Sequence, residues 1–332
     1  MRYTNMSRFV ESDYMLTTAF YQEINETINN GSDPTLLFMN VTIRDLYVWM
    51  HYYAANRHIV LPDKTMMPYM DFAHDGQGFP TWHRLYLLAW ERALQELAGD
   101  KDYTIPFWDW RESGEKCEIC SEDLLGNIST NGEVVGKYFE DWETICYTPK
   151  LIDMNSTDLC DPNVKTGKLK RFHGIRLARD GSKMTFPTKT EVEFLLRFEA
   201  FDIPPYGRDS SCNFRNMLEG NVNTTSGYRL PRGFSTLHNV VHLMIGGMMG
   251  EVPTSSNDPI FILHHCFVDQ IFEKWLRKYK KDASVLSAAE APIGHNRVDV
   301  IVPMFPVYTH EELFSKSFSF GYDFEGVDKN GM

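Results

Sequence analysis

A chain of 332 residues with 43% hydrophobic and 23% charged residues has the balance of an ordinary globular protein and can bury a sizeable core, which argues against a disordered or fibrous chain. Its net charge of −12 argues against a nucleic-acid partner and gives no polybasic anchor for an anionic membrane. No stretch approaches the ~20 apolar residues of a membrane span, while the 14% aromatic share can line a buried pocket and stack on an aromatic ligand.

The chain opens on a polar segment, MRYTNMSRFVESDY, without the pattern of a signal peptide. Residues 41–57 (VTIRDLYVWMHYYAANR) carry apolar side chains at helical spacing. Residues 80–98 (PTWHRLYLLAWERALQELA) begin with Pro, a good first helical residue, and continue as a long apolar stripe. Residues 112–185 are rich in Gly, Asn, Asp, Ser and Lys and read as loop. Helical spacing returns at 189–203 and is ended by Pro204 and Pro205. Residues 235–245 predict a short apolar helix stopped by Gly246 and Gly247. Residues 258–281 (DPIFILHHCFVDQIFEKWLRKYKK) open on Asp-Pro and close on four basic residues, which suits the helix macrodipole. Residues 298–324 alternate aromatic and polar side chains and predict short strands. The fold class expected is mainly α, with four main helices, long irregular connections and a few short strands. Loops of such length in a compact domain are usually functional or covering.

The glycosylation pattern N-x-S/T occurs seven times, at Asn5, Asn25, Asn30, Asn40, Asn127, Asn155 and Asn223. Chance would supply roughly one or two, so the chain reads as lumenal or extracellular, with its targeting segments removed. In that compartment Cys117 and Cys120 of CEIC, and Cys146 and Cys160 flanking a polar loop, read as two local disulfides stapling residues 112–162. No second CxxC accompanies CEIC, which disfavours a zinc or redox motif. Cys212 is read as a free thiol or the partner of something absent, and Cys266, inside an apolar run, as a buried thiol.

The eleven histidines are the most informative feature. His238 and His242 are spaced i, i+4, so both rings project from one helix face, a good geometry for one metal ion. His264 and His265 are adjacent on the next helix and diverge by about 100°, so only one of them can face the same site. Towards the N-terminus, His51 and His83 lie on the first two helices and His74 lies in the loop between them. A lone helical His is more often a satisfied core or surface residue, but two three-histidine sets, each spread over two helices, outweigh that reading. Nitrogen-only donors suit copper, zinc or iron rather than calcium or magnesium, and three neutral imidazoles leave coordination positions open. His58 lies past the first helix and is read as complementing its C-terminus. His173, His295 and His310 stand alone in loops and are read as structural or solvated. Asp269, i+4 from His265, is placed to orient that imidazole as an acceptor.

The segments VWMHYY, DFAH, FPTWHRLYLLAWERAL, IPFWDWR, LHNVVH, NDPIFILHHCFVDQIFEKW and APIGHNR resemble the tyrosinase family of type-3 copper proteins, in its animal pigment-cell branch. The likeness runs from about residue 9 to about residue 323 and rests on two long histidine motifs. It implies a helical bundle holding two copper ions, one on His51, His74 and His83, the other on His238, His242 and His265. It implies an oxidase that uses dioxygen to turn phenols such as tyrosine and DOPA into o-quinones, in a secretory lumen, melanosome-like or extracellular. Glu219 in RNMLEG and Asn239 beside His238 resemble the pair that holds a base water for an incoming phenol. A phenol of pKa about 10 must lose its proton to bind copper, and a carboxylate–water pair can accept it. Leu243 and Val252 occupy places like the rim of the phenol pocket, and Phe261 like its aromatic wall.

Three departures from the family stand out. A Cys-rich N-terminal module and a C-terminal membrane helix are absent, so residues 1–332 are expected to form one catalytic domain without membrane contact. Asp71-Phe72-Ala73 before His74 holds no Cys, which excludes a Cys–His thioether there. Residues 205–234 match weakly apart from NFRNMLEG. The rival readings are a catechol oxidase, a hemocyanin-like oxygen carrier, a zinc tautomerase of the tyrosinase-related kind, and a scaffold with a decayed site.

Overall fold

The computed structural model describes residues 41–55, 58–60, 66–68, 71–147, 160–172, 177–178 and 181–328. His173 and the sequons at Asn5, Asn25, Asn30, Asn40 and Asn155 lie outside the described residues. So does the His58 side chain, on which its expected helix-capping role depends.

Four helices form the frame: α1 (Ile43–Ala55), α2 (Phe79–Ala98), α5 (Leu237–Ile245) and α6 (Ile260–Tyr279). Short helices α3 (Lys189–Leu195) and α4 (Phe214–Glu219) precede α5, and α7 (His310–Leu313) follows α6. The start of α1 is fixed by a reciprocal cap: Thr42 N–H donates to the Asp45 carboxylate and Asp45 N–H to the Thr42 hydroxyl, both at 3.0 Å. In α2, Pro80 occupies the first turn, and Gly99 in the left-handed conformation closes the helix by donating to the Gln95 and Glu96 carbonyls. Every residue of α2 from Phe79 to Leu88 is buried, whereas beyond Leu88 only Trp90 and Leu94 are. The N-terminal half is therefore a core helix and the C-terminal half an amphipathic surface helix. Helix α6 is buried from Ile260 to Glu273 and packs along α2. Its start is pinned by Asp258, which accepts from Ile260 N–H at 3.0 Å and pairs with buried Arg171 through two bonds of 2.6 and 2.9 Å. Arg277 and Lys278 sit in its last turn, favourable to the helix dipole.

Strands β1 (His58–Val60) and β2 (Met66–Pro68) pair antiparallel ahead of α2, and the expected loop at 112–185 contains two further two-stranded antiparallel pieces: β3 (Asn127–Ile128) with β4 (Val134–Val135), and β5 (Glu143–Ile145) with β6 (Lys165–Lys168). Disulfides join Cys117 to Cys120 and Cys146 to Cys160. Cys212 is a free exposed thiol and Cys266 a free buried one. No helix among the described residues is long and apolar enough to cross a membrane.

Two expectations are corrected. The helix at 189–203 stops at Leu195. Side chains of α6 take over the carbonyls beyond it: Trp275 Nε1 donates to Phe198 O at 2.8 Å, and Lys278 Nζ and Tyr279 OH donate to Leu196 O at 2.6 and 3.1 Å. The chain is thereby turned so that Phe201 packs edge-on against Phe314, centroids 4.8 Å apart. Residues 298–324 are not strands; they hold one isolated bridge between Val300 and Thr309, helix α7 and a 3-10 turn at Ser317–Phe320. Their backbone groups are satisfied by buried charged side chains instead of a ladder. Arg84 donates to Ser315 O, and Glu273 accepts from Ser317 N–H at 2.9 Å.

Candidate metal centre

His51 projects from α1, His83 from the second turn of α2, and His74 from the loop 71–78 just before it; the three are buried. His238 and His242 lie one turn apart on α5, and His264 and His265 on α6. The donor atoms of His51, His74 and His83 lie within 4.8 Å of one another, and so do those of His238, His242, His264 and His265. In the second set the Nε2 atoms of His238, His242 and His265 form a triangle with edges of 3.0, 3.3 and 3.3 Å. A point about 2 Å from all three, the usual metal–imidazole distance, exists just off its plane.

Hydrogen bonds to groups that only accept fix the tautomers. His83 Nδ1 donates to Phe79 O at 2.9 Å, one turn back on its own helix, and its Nε2 has no hydrogen-bond partner. His242 Nδ1 donates to Met249 O at 2.8 Å. His238 Nδ1 lies 3.1 Å from Glu219 O and 3.0 Å from Asn239 Oδ1. His74 Nδ1 lies 3.1 Å from Asp71 Oδ1, which also accepts from the Ala73 and His74 amides. In each ring the other nitrogen keeps its lone pair for the centre. Burial also keeps the imidazoles neutral. It holds His51, His83, His238, His264 and His265 well below the usual histidine range, and His242 at about 4. His74 is the exception: burial lowers it, but the Asp71 carboxylate overcomes that and raises it. Several buried imidazole lone pairs converging at such spacings fit a cation with nitrogen preference.

The two sets abut. His83 and His265 stack with ring centroids 4.1 Å apart and planes at 6°. Phe79 packs against His83 and His238, at 4.9 and 4.8 Å. Phe261, fully buried, packs against His265 and His51, at 4.1 and 4.8 Å. It is therefore a wall between the histidines of both sets. The sequence motif FPTWH holds Phe79 in plain view, but nothing in its spacing separates it from ordinary core.

His264 differs from His265 in its partners. Trp110 Nε1 donates to His264 Nδ1 at 3.0 Å, which leaves the proton of that ring on Nε2 and stacks it beside His238 at 5.1 Å. Its Nδ1 is thereby used, while the Nε2 of His265 completes the triangle.

Glu219 ends α4, and its carboxylate is 2% exposed. Oε2 accepts from Arg215 Nη1 at 2.8 Å and Oε1 from Asp75 N–H at 2.5 Å. Burial first, then the neighbouring Asp75 charge, push the carboxyl up to about 7 against the pull of Arg215. Arg215 is fully buried and also bonds Asp202 at 2.9 Å, a partnership that sequence reasoning missed. Gly220 follows at φ +107°, and a Cβ there would meet Thr236 O at 2.1 Å and Asn239 Cβ at 2.9 Å. Only glycine lets the end of α4 lie against the start of α5, which brings Glu219 and Asn239 to the same edge of His238. Asn239 Nδ2 donates to Asn221 Oδ1 at 3.3 Å.

On α5, Asn239, His242 and Leu243 are half-buried, and Val252 in the following turn is 42% exposed. They mark the side on which the second set approaches solvent. Asp269 does not orient His265. Arg84 Nε and Tyr322 OH engage its two oxygens at 2.7 and 2.5 Å, and His265 Nδ1 has no hydrogen-bond partner. The i+4 spacing is met, but the neighbouring guanidinium is the stronger claimant. His295 and His310 are fully buried and doubly hydrogen-bonded, so the structural reading fits them and the solvated one does not. Of the described sequons, Asn127 is exposed and Asn223 half-buried.

Residues 43–278 match the family model described as the common central domain of tyrosinase. The chain is 38% identical to the tyrosinase of Pelophylax lessonae over 99% of its own length and 60% of that protein. It is 39% identical to the tyrosinase of Gallus gallus, over 100% of this chain and 61% of the relative. The 5,6-dihydroxyindole-2-carboxylic acid oxidase of Carassius auratus is 34% identical over 94% of this chain and 59% of its own length. The chain thus spans about three fifths of the curated relatives it matches.

Proposed function

The chain belongs to the tyrosinase family, and on that premise we propose that it is the catalytic domain of a copper-dependent phenol oxidase that consumes dioxygen and releases o-quinones. The observation that carries this reading is the abutment of two nitrogen-only sets across the His83–His265 stack, close enough for one small molecule to touch both. His51, His74 and His83 would hold one copper, and His238, His242 and His265 the other. The bound pair supplies redox chemistry towards dioxygen and a Lewis-acid position for a phenolate oxygen.

The chain's own residues then have separable tasks. Phe79 and Phe261 keep bulk water from the facing rings and fix their separation. Asp71, Phe79 O, Met249 O and Glu219 O hold protons on Nδ1 so that Nε2 faces the centre. Glu219, with its carboxyl at about 7, is matched to accept a phenolic proton near neutral pH through a water held by Asn239. Each Glu219 oxygen has one hydrogen bond and retains acceptor capacity for that water. Leu243 and Val252 form the approach, where the phenol ring enters past half-buried His242. The compartment is a secretory lumen, melanosome-like or extracellular, consistent with two disulfides.

Tyrosine and DOPA are the proposed substrates. Relatives named 5,6-dihydroxyindole-2-carboxylic acid oxidase favour a second reading, in which a bicyclic diphenol is the preferred substrate. Oxygen uptake by copper-loaded and zinc-loaded protein, with L-tyrosine, L-DOPA and the dihydroxyindole acid in turn, tests both. Uptake with tyrosine and DOPA only when copper is bound supports the oxidase. Uptake with the indole alone moves the substrate, and none from the copper-loaded protein removes the oxidase.

A further inference from the structure

Outside the two histidine sets, His295 is buried with both ring nitrogens hydrogen-bonded. It lies in the turn after α6, far along the chain from loop 71–78, yet its ring fills the concave side of that loop. A Cβ on Gly76 would fall 2.5 Å from the His295 ring. Nε2 donates to Asp71 O at 2.6 Å, and Nδ1 accepts from Gly78 N–H at 3.2 Å. One rigid ring thus bridges both ends of the segment carrying His74. The residue it grips at one end, Asp71, is the one whose carboxylate orients His74; the other end leads directly into α2 and His83.

The clamp is itself held. Gly294 N–H donates to Asp299 Oδ2 at 2.9 Å, and Gly294 stands at φ +86° with Phe72 of the same loop 2.1 Å from where its Cβ would be. His310 from α7 lies parallel to His295, centroids 6.2 Å apart at 5°. It donates from Nε2 to Gly294 O at 2.8 Å and sits with Nδ1 2.6 Å from the Thr81 hydroxyl. Asp71, Thr81, His295 and His310 are buried, so a missing partner among them would leave orphaned polar atoms beside the loop.

We propose that His295 is a positioning residue for the first metal set: by clamping Asp71 and Gly78 it aims His74 at the point shared with His51 and His83. The inference rests on the two-copper reading above. It is asymmetric, because among the described contacts His295 touches the loop of the first set and no residue of the second.

The test uses copper retained by purified protein after dialysis at fixed free copper. His242→Ala leaves only the first set complete, and His51→Ala only the second. His295→Leu removes both hydrogen bonds; it is expected to weaken copper binding about 10-fold in the His242→Ala background, and by less than about 2-fold in the His51→Ala background. His295→Gln keeps one donor and one acceptor and should recover part of the loss, and it also serves if the leucine variant does not fold. Glu273→Gln, two turns beyond His265 on α6, controls for general destabilisation and should not discriminate between the backgrounds. Equal losses in both backgrounds, or none in either, overturn the clamp while leaving the copper reading intact. Unmodified protein that retains no copper pair overturns both.

Discussion

His83 of α2 and His265 of α6 stack face to face, 4.1 Å between centroids, although they are 182 positions apart in the chain, with strands β3 to β6 and helices α3, α4 and α5 folded between them. That contact makes the two histidine sets neighbours, and Phe261 supports it from one side, 4.1 Å from His265 and 4.8 Å from His51. Replacing Phe261 by Ala leaves a cavity between rings that cannot collapse onto it. We expect a loss of about 3–5 kcal/mol in urea unfolding of the metal-free protein. A loss under about 1 kcal/mol would show that the ring is not part of the packed wall.

Arg215 is fully buried between Asp202 and Glu219. Replacing it with Met strands two buried carboxylates, and the expected cost is about 3–5 kcal/mol in the same unfolding measurement. A double substitution, Arg215→Met with Glu219→Gln, should recover part of that cost. Simple additivity of the two would contradict the coupling.

The proton-acceptor role separates two substrates. A monophenol needs its proton removed to bind as phenolate and is then hydroxylated; a diphenol skips the hydroxylation and is less demanding. Glu219→Gln and Asn239→Asp should therefore slow monophenol turnover at least about 10-fold more than diphenol turnover, with general-base contributions of this kind worth about 10²–10⁴. Equal losses on both substrates would contradict the assignment.

His310 gives a pH dependence with a definite sign. Burial first, then neighbouring His295, push it down to about 4, while the Gly294 carbonyl and Asp299 act the other way. The unfolded chain takes up that proton near its ordinary pKa of 6.5, and the folded chain only near 4. The contribution is thus fully present above about pH 6.5 and is lost as pH falls from there to about 4, amounting to about 3 kcal/mol at the end. His310→Asn should flatten the stability of the metal-free protein over this window. An unchanged slope would place the dependence elsewhere.

Much of the frame is legible in the sequence, because α1, α2, α5 and α6 advertise themselves by apolar period, by the Pro80 start of α2 and by the Gly246–Gly247 stop of α5. The i, i+4 pair on α5 and the doublet on α6 announce a metal site for the same local reason. What stays hidden is set by partners distant in the chain. The helix at 189 ends early where Trp275 and Tyr279 claim the Phe198 and Leu196 carbonyls beyond it, and Asp269 turns to Arg84 instead of His265. His295 shows the limit most clearly. It stands alone among loop residues, and nothing nearby in sequence tells that its ring closes the loop carrying His74.

Copper content per chain tests the central claim most directly. Protein loaded with Cu(II) and dialysed should retain about two coppers, with about one in His83→Ala and about one in His242→Ala, as expected for two three-imidazole sites that bind independently. Retention of a single copper by the unmodified protein, or loss of both on either substitution, would contradict two separate three-histidine sites.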